Sequence, residues 1–404
     1  MSKNYERPNI DFYALDKEWL SNRMLFIAGP RQVGKTTYAQ KKINQLGGSY
    51  FNWDDRKVRN LYMSDPSFFD NEDKFGQLIV FDEIHKMRKW KNILKGLYDV
   101  YKSNYRFIIT GSAKLDTFRR SGDSLVGRYF LTHMFPLSVG DLSNIDFKEY
   151  TEANSLLKDA HNSEPKFSYE EIDQLINLGG FPEPFFKNSH SFRRRWQAQH
   201  QELLIREDLR DLSNIRSLDT VENLILLLES KVSSLCTIDP LARTLEVDFK
   251  TIRQWLLQLE KIMLIFSIKP WNKKITRALH KSSKVYFYDW ASVSPKGAML
   301  ENFVASQLFK ACTLWQDRYG HKYDLNYIRT YDGAEVDFLI TYEKNPWLLI
   351  EVKHGQPDVP SSLYRFKTEL NIPALLLTNL PKINLKKKEG ISIMSLERFL
   401  SILP

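Results

Sequence analysis

Cysteine is nearly missing from this 404-residue chain, which contains only Cys236 and Cys312. Two cysteines cannot build a disulfide framework or a cysteine-based zinc site, and such scarcity fits a reducing compartment. Long apolar runs are missing as well. No stretch approaches the roughly 18 apolar residues of a membrane span, and Met1-Ser2-Lys3-Asn4-Tyr5-Glu6-Arg7 lacks the apolar segment of a signal peptide. The expectation is a cytoplasmic protein that does not enter a membrane. An excess of polar residues is also absent. With 43% hydrophobic and 26% charged residues the chain can bury a full core, which argues against long disorder. At this length one core stops growing, so two or three domains are expected. The net charge of +9 makes DNA or RNA a candidate partner, because phosphate contacts release counterions. Charge alone does not select nucleic acid over a protein partner.

Glycine is sparse, so its clusters stand out. Met24-Leu25-Phe26-Ile27-Ala28 is an apolar run of strand length that leads into Gly29-Pro30-Arg31-Gln32-Val33-Gly34-Lys35-Thr36-Thr37. This matches G-x-x-x-x-G-K-[ST] in full, a loop whose glycines let backbone amides curl around phosphates. Residues 29–37 are therefore expected to bind ATP, with Lys35 at the β- and γ-phosphates and Thr36 at Mg²⁺. A second buried-strand run, Leu78-Ile79-Val80-Phe81, ends in Asp82-Glu83 at the sheet edge where α/β ligands bind. Asp82 is expected to hold the Mg²⁺ and Glu83 to polarise the attacking water. A third strand, Arg106-Phe107-Ile108-Ile109-Thr110, runs into Gly111-Ser112 and repeats the rhythm of a parallel sheet. Thr110 or Ser112 is then expected beside the γ-phosphate. Leu125-Val126-Gly127-Arg128 offers an arginine to the nucleotide of its own or a neighbouring copy, with a surface ion pair as the alternative.

These motifs in this order, followed by Phe135-Pro136-Leu137-Ser138, resemble the AAA-type ATPases fused to a DUF4143 domain, relatives of the archaeal STAND-like ATPases. The resemblance covers nearly the whole chain. It implies that Lys35 and Thr36 are the Walker A pair, Asp82 and Glu83 the Walker B pair and Ser112 the sensor.

Beyond residue 144 the sequence turns polar and loses periodicity, which marks a lid or linker. Leu178-Gly179-Gly180-Phe181-Pro182 resembles the same family's Gly-Gly-Phe-Pro signature, although a glycine turn capping a helix explains it equally. Ser191-Phe192-Arg193-Arg194-Arg195-Trp196 mixes cationic and aromatic residues in a way suited to phosphate contact and base stacking, or to a solvated helix face. Two short helical patterns between residues 239 and 262, then Met263-Leu264-Ile265-Phe266 as a strand, predict a winged helix with Lys250, Arg253 and Gln254 on its second helix.

In the last third, Gly333-Ala334-Glu335-Val336-Asp337-Phe338-Leu339-Ile340 and Trp347-Leu348-Leu349-Ile350-Glu351-Val352-Lys353 alternate polar and apolar residues and read as strands. Residues i and i+2 share a strand face, so Glu335 pairs with Asp337 and Glu351 with Lys353. Upstream, a helix beginning near Gly297 presents Glu301. A helix glutamate, a strand aspartate and Glu-x-Lys on the next strand resemble the PD-(D/E)xK nuclease core. That resemblance implies Asp337 and Glu351 as metal ligands supported by Glu301, with Lys353 beside the attacking water. The alternative is a pair of amphipathic strands with a charged, solvated face.

The fold class expected is α/β. Its divisions are a P-loop parallel-sheet ATPase domain over residues 1–145, a lid or helical linker over 146–232, a winged-helix-like module over 233–272 and a DUF4143-type nuclease-like domain over 273–404. The function expected is an Mg-dependent ATPase acting as a switch or motor coupled to a nuclease-like C-terminal domain that binds or cuts nucleic acid. The alternative is a slow ATP switch whose C-terminal domain docks a protein partner. Assembly into a homo-oligomer is compatible with either.

Overall fold

Met24-Leu25-Phe26-Ile27-Ala28 is apolar at every position, and such a run makes a stable strand only where both faces are covered. In the computed structural model it forms β1 (Met24–Ala28), buried throughout. The structure describes residues 7–15, 23–71, 76–111, 125–143, 148–209, 217–271 and 282–404. Those of 4–135 form one compact unit and those of 136–404 another. No helix among the described residues is long and apolar enough to cross a membrane.

The first unit runs α1 (Pro8–Leu15), β1, α2 (Lys35–Leu46), β2 (Gly48–Asn52), α3 (Arg56–Ser64), β3 (Leu78–Asp82), α4 (Trp90–Tyr101), β4 (Arg106–Thr110) and β5 (Tyr129–His133). The strands lie in the order β2-β3-β4-β1-β5. Every pair in that sheet is parallel. Alternate side chains of β1 feed two cores. Leu25 and Ile27 pack with Ile10, Tyr13, Tyr38 and Ala39 of α1 and α2, while Met24, Phe26 and Ala28 pack with Trp90, Leu94 and Tyr98 of α4. Because the strands are parallel, the carboxyl ends of β1 and β3 share one edge of the sheet.

The second unit begins with helices: α5 (Val139–Ser143), α6 (Ala153–Asn162), α7 (Tyr169–Leu178), α8 (Pro182–Lys187), α9 (His190–Leu203) and α10 (Leu218–Glu229). Then come β6 (Leu235–Cys236), α11 (Ile238–Thr244), α12 (Phe249–Lys261), β7 (Ile265–Pro270), β8 (Ser283–Phe287), α13 (Lys296–Tyr319), β9 (Tyr323–Arg329), β10 (Glu335–Tyr342), β11 (Asn345–Lys353), α14 (Ser361–Leu370), β12 (Ala374–Thr378), β13 (Asn384–Lys386), β14 (Ile391–Ser395) and α15 (Leu396–Leu400). Nine strands form one sheet in the order β13-β14-β12-β11-β10-β9-β7-β8-β6. The hairpin β7-β8 straddles residue 272, where the sequence placed a module boundary, and β7 continues into β9 through the pairs Lys269↔Asn326 and Pro270↔Tyr327.

Gly179 and Gly180 have a packing reason. A Cβ at Gly180 would lie 2.4 Å from the Trp290 ring and 2.6 Å from the Leu137 carbonyl oxygen, and Gly179 caps α7 at φ +79°. Arg193 and Trp196, read from sequence as candidates for phosphate contact and stacking, are buried instead. Nη2 of Arg193 donates to both carboxylate oxygens of Asp289 at 2.7 Å, and Trp196 stacks on His200 at 4.5 Å. Of that cluster's three arginines, Arg194 and Arg195 face solvent. The helix pair α11-α12 followed by the β7-β8 hairpin keeps Lys250, Arg253 and Gln254 exposed on α12.

Candidate functional site

The loop between β1 and α2 needs its glycines for stated reasons. Gly34 sits at φ +102°, where a Cβ is strained, and a Cβ on Gly29 would lie 2.2 Å from the carbonyl oxygen of Met134. Lys35 opens α2 with its side chain folded back, Nζ donating to the carbonyls of Gly29 at 2.8 Å and Pro30 at 2.7 Å. Val33 is buried, while Gln32, Thr36 and Thr37 are exposed at the rim.

Asp82 ends β3 and is buried at 1% exposure, so its carboxylate needs partners. It has three. The hydroxyl of Thr36 donates to Oδ2 at 2.7 Å, the phenol of Tyr50 donates to the same oxygen at 2.6 Å, and Thr110 donates to Oδ1. A hydroxyl on the P-loop helix beside a fixed carboxylate is the donor set that a phosphate-bound Mg²⁺ takes, so Thr36 and Asp82 fit that ion. Thr36 and Asp82 would hold the ion, which would supply positive charge against the phosphates.

Glu83 follows in the left-handed region at φ +57°, uncommon for a residue with a side chain. Its Oε2 lies 3.6 Å from Nε2 of His85 and 3.6 Å from Nζ of Lys86, and Lys86 is anchored to Asp54 at 2.7 Å. Burial raises the Glu83 pKa above the ordinary glutamate value, with Lys86 and then Lys35 opposing it.

Two contributors have no motif. Arg7, 5% exposed, donates to the carbonyls of Phe135 at 2.8 Å and Val33 at 3.1 Å, tying the chain start to the loop. Tyr50 is the second. Burial first and Asp82 next raise its pKa, which keeps the phenol protonated and donating. Tyr50→Phe should raise the Mg²⁺ concentration for half-maximal turnover about ten- to a hundred-and-fifty-fold, the effect of losing about 1.5 to 3 kcal/mol of a hydrogen bond to a charged group. ATP affinity without Mg²⁺ should not change. An Mg²⁺ titration identical to that of the unsubstituted protein would remove Tyr50 from the site.

Arg128 stands away from the nucleotide site of its own chain. It precedes β5, which pairs in parallel with β1 from Met24↔Tyr129 onward, and its carbonyl accepts from the Met24 amide at 2.9 Å. Arg128 therefore stands at the amino edge of the sheet, about 16 Å of strand from the P-loop that follows Ala28. That is beyond the reach of an arginine side chain. It pairs with Asp99 of α4 at 2.7 Å, the surface ion pair that was the alternative. Ser112 lies outside the described residues.

In the second unit a two-residue turn at Glu343-Lys344, both at positive φ, closes β10 on β11. Antiparallel pairing then sets the start of β10 beside the end of β11. The Asp337 amide donates to Glu351 Oε2 at 3.3 Å, the Val352 amide donates to Asp337 Oδ2 at 2.9 Å, and Nζ of Lys353 donates to Glu351 Oε1 at 2.8 Å. Glu301, on α13, accepts from the Tyr286 phenol at 2.7 Å. The four residues singled out by sequence thus meet. A fifth, missed by sequence, stands among them. Lys284 of β8 is 1% exposed, with Nζ 2.6 Å from Glu335, 3.3 Å from Glu301 and 3.9 Å from Asp337. Burial alone would lower its pKa, but the carboxylates of Glu301, Asp337 and Glu335 raise it. Burial, then Glu301 and Glu351, raise the Asp337 pKa well above the usual range. Among the described residues no three acidic, histidine or cysteine side chains are arranged to hold a metal ion. Glu301, Asp337 and Glu351, the expected metal set, each give at least one oxygen to a protein donor.

Comparison with known proteins gives three successive matches along the chain. Residues 21–143 match the family model described as an AAA domain, residues 169–294 a domain of unknown function, DUF8612, and residues 296–399 a domain of unknown function, DUF4143. An uncharacterized protein of Mycobacterium tuberculosis, Rv2008c, is 24% identical over 369 residues, 88% of this chain and 76% of the relative. An uncharacterized protein of Methanocaldococcus jannaschii, MJ1637, is 24% identical over 417 residues, 91% of this chain and 85% of the relative. Among solved structures, a RuvB of Thermotoga maritima overlaps 65% of this chain and 89% of its own, at 15% identity and a TM-score of 0.32. The chain joins an AAA-type, ATP-binding P-loop domain to a DUF4143 region.

Proposed function

We propose that this protein is an Mg-dependent ATPase that works as a switch or motor, and that its second unit is a nuclease-like fold through which it engages nucleic acid. The observation that carries the ATPase reading is the convergence of Lys35, Thr36 and Asp82 at the carboxyl edge of the parallel sheet, with Thr36 and Asp82 in contact at 2.7 Å. In this reading the loop amides and Lys35 hold the phosphates, Thr36 and Asp82 hold the Mg²⁺, and Glu83 orients the water that attacks the γ-phosphate.

The nuclease-like reading is supported by the meeting of Glu301, Asp337, Glu351 and Lys353 at one end of β10 and β11. Nucleic acid as the ligand class is supported by the net charge of +9 and by the exposed Lys250, Arg253 and Gln254 on α12, placed as in a winged helix. The test is steady-state ATP hydrolysis in Mg²⁺ with and without single- and double-stranded DNA and RNA, over a series of salt concentrations. Turnover stimulated by nucleic acid, with affinity falling steeply as salt rises, is the expected result. Turnover indifferent to every nucleic acid would instead favour a protein as the partner of the second unit.

A further inference from the structure

A PD-(D/E)xK core works through a divalent metal, and the residues present here do not fit one. Glu351 has both oxygens engaged, Oε1 by Lys353 and Oε2 by the Asp337 amide. Asp337 gives Oδ2 to the Val352 amide and turns Oδ1 toward Lys284 at 3.9 Å. Glu301 gives Oε1 to the Tyr286 phenol and to Lys284, and Glu335 is held between Lys284 at 2.6 Å and Arg329 at 2.7 Å. The space among these carboxylates is filled from within the fold. Lys284 reaches it from β8, a strand outside the β9-β10-β11 meander, and its ammonium lies 5.7 Å from the centre of the Tyr327 ring. A buried lysine is stable only where its charge is answered. Three carboxylates answer this one. Equally, a divalent ion brought among them would meet a fixed positive charge at a few ångströms, which weakens what the remaining oxygens could offer it.

We propose that Lys284 is the resident cation of this cluster, standing where a nuclease would hold its metal, so that the second unit keeps the nuclease-like scaffold as a fixed, non-cleaving element. This rests on the nuclease-like reading above for the comparison with a metal site, whereas the test below uses the metal alone and is independent of nucleic-acid binding.

The experiment is Mn²⁺ binding to the full-length chain without nucleotide, followed by electron paramagnetic resonance and calorimetry, with the Asp82→Asn substitution carried throughout to silence the P-loop. The chain with native Lys284 should show no Mn²⁺ binding that depends on Asp337. Lys284→Met should gain one Mn²⁺ site, at least tenfold tighter than any in that background, and Lys284→Met/Asp337→Asn should lose it. Mn²⁺ binding by the native cluster that Asp337→Asn abolishes would overturn the proposal, as would a folded Lys284→Met with no new site. If Lys284→Met fails to fold, rescue by Mn²⁺ or by the neutralising second change Glu335→Gln supports the charge role, and rescue by neither overturns it. Metal-dependent cleavage of DNA or RNA by the native protein that Asp337→Asn removes would also overturn it. Failure to bind nucleic acid at all would count against the nuclease-like reading and leave the cation result standing.

Discussion

Glu83→Gln retains MgATP at close to unsubstituted affinity and loses turnover by about a hundred- to ten-thousandfold, the range for removing a positioned acid-base group. Glutamine keeps the shape of the side chain and one acceptor oxygen, but it cannot take up a proton or draw one from water as a carboxylate does. Lys35→Ala gives the opposite signature. Without the ammonium, the cradle of amides leaves the β- and γ-phosphates poorly neutralised, so tight MgATP binding itself is lost. Calorimetry separates the two variants before any kinetics are run. Glu83→Gln turning over at the normal rate would remove Glu83 from the chemistry, and unchanged affinity in Lys35→Ala would overturn the phosphate site. The pH profile adds a check on sign. Burial raises the Glu83 pKa, and the proposed role in orienting water uses the ionised form. Activity should therefore fall as pH falls, with its midpoint above the ordinary glutamate value of about 4.3.

The second large effect is on stability. Arg193 and Asp289 are 4% and 7% exposed and meet through two contacts at 2.7 Å. Removing either partner alone, as Arg193→Ala or Asp289→Ala, strands a buried charge and should cost about 3 to 5 kcal/mol. Replacing both by apolar residues of similar size removes the stranded charge, so Arg193→Met/Asp289→Leu should cost far less than the sum of the two single changes. Denaturant unfolding of the four proteins decides the matter. If the single changes cost under about 1 kcal/mol, the range of exposed pairs, the ion pair is not an organising contact of the helical region.

How much of this was legible in the sequence follows from where each interaction is encoded. The P-loop was legible because its glycines, lysine and threonine are contiguous and each has a reason to be there. Asp337, Glu351 and Lys353 were legible because strand alternation assigns faces over a few residues. The place of Arg128 was not legible. Its neighbours in sequence say nothing of which edge of the sheet it occupies, and that edge follows only from the parallel pairing of β5 with β1. Lys284 was missed for a related reason, since a lysine in Ser282-Ser283-Lys284-Val285-Tyr286 looks like any solvent-facing strand residue until β7 and β8 are seen to extend the sheet. The turn at Glu343-Lys344 carries no glycine or asparagine at its central positions, so its positive-φ geometry is set by the strands it joins. Arg193 and Trp196 have the composition of a nucleic-acid contact and the position of a core, and composition carries no information on burial.

The continuity of the nine-stranded sheet bears on how such a protein can change over evolutionary time. Strand β9 is hydrogen-bonded on one side to β10 and on the other to β7, so a gene rearrangement breaking the chain between β8 and α13 would open a row of unpaired amides and carbonyls along β9. The same break would part Lys284 from the carboxylates that answer its charge.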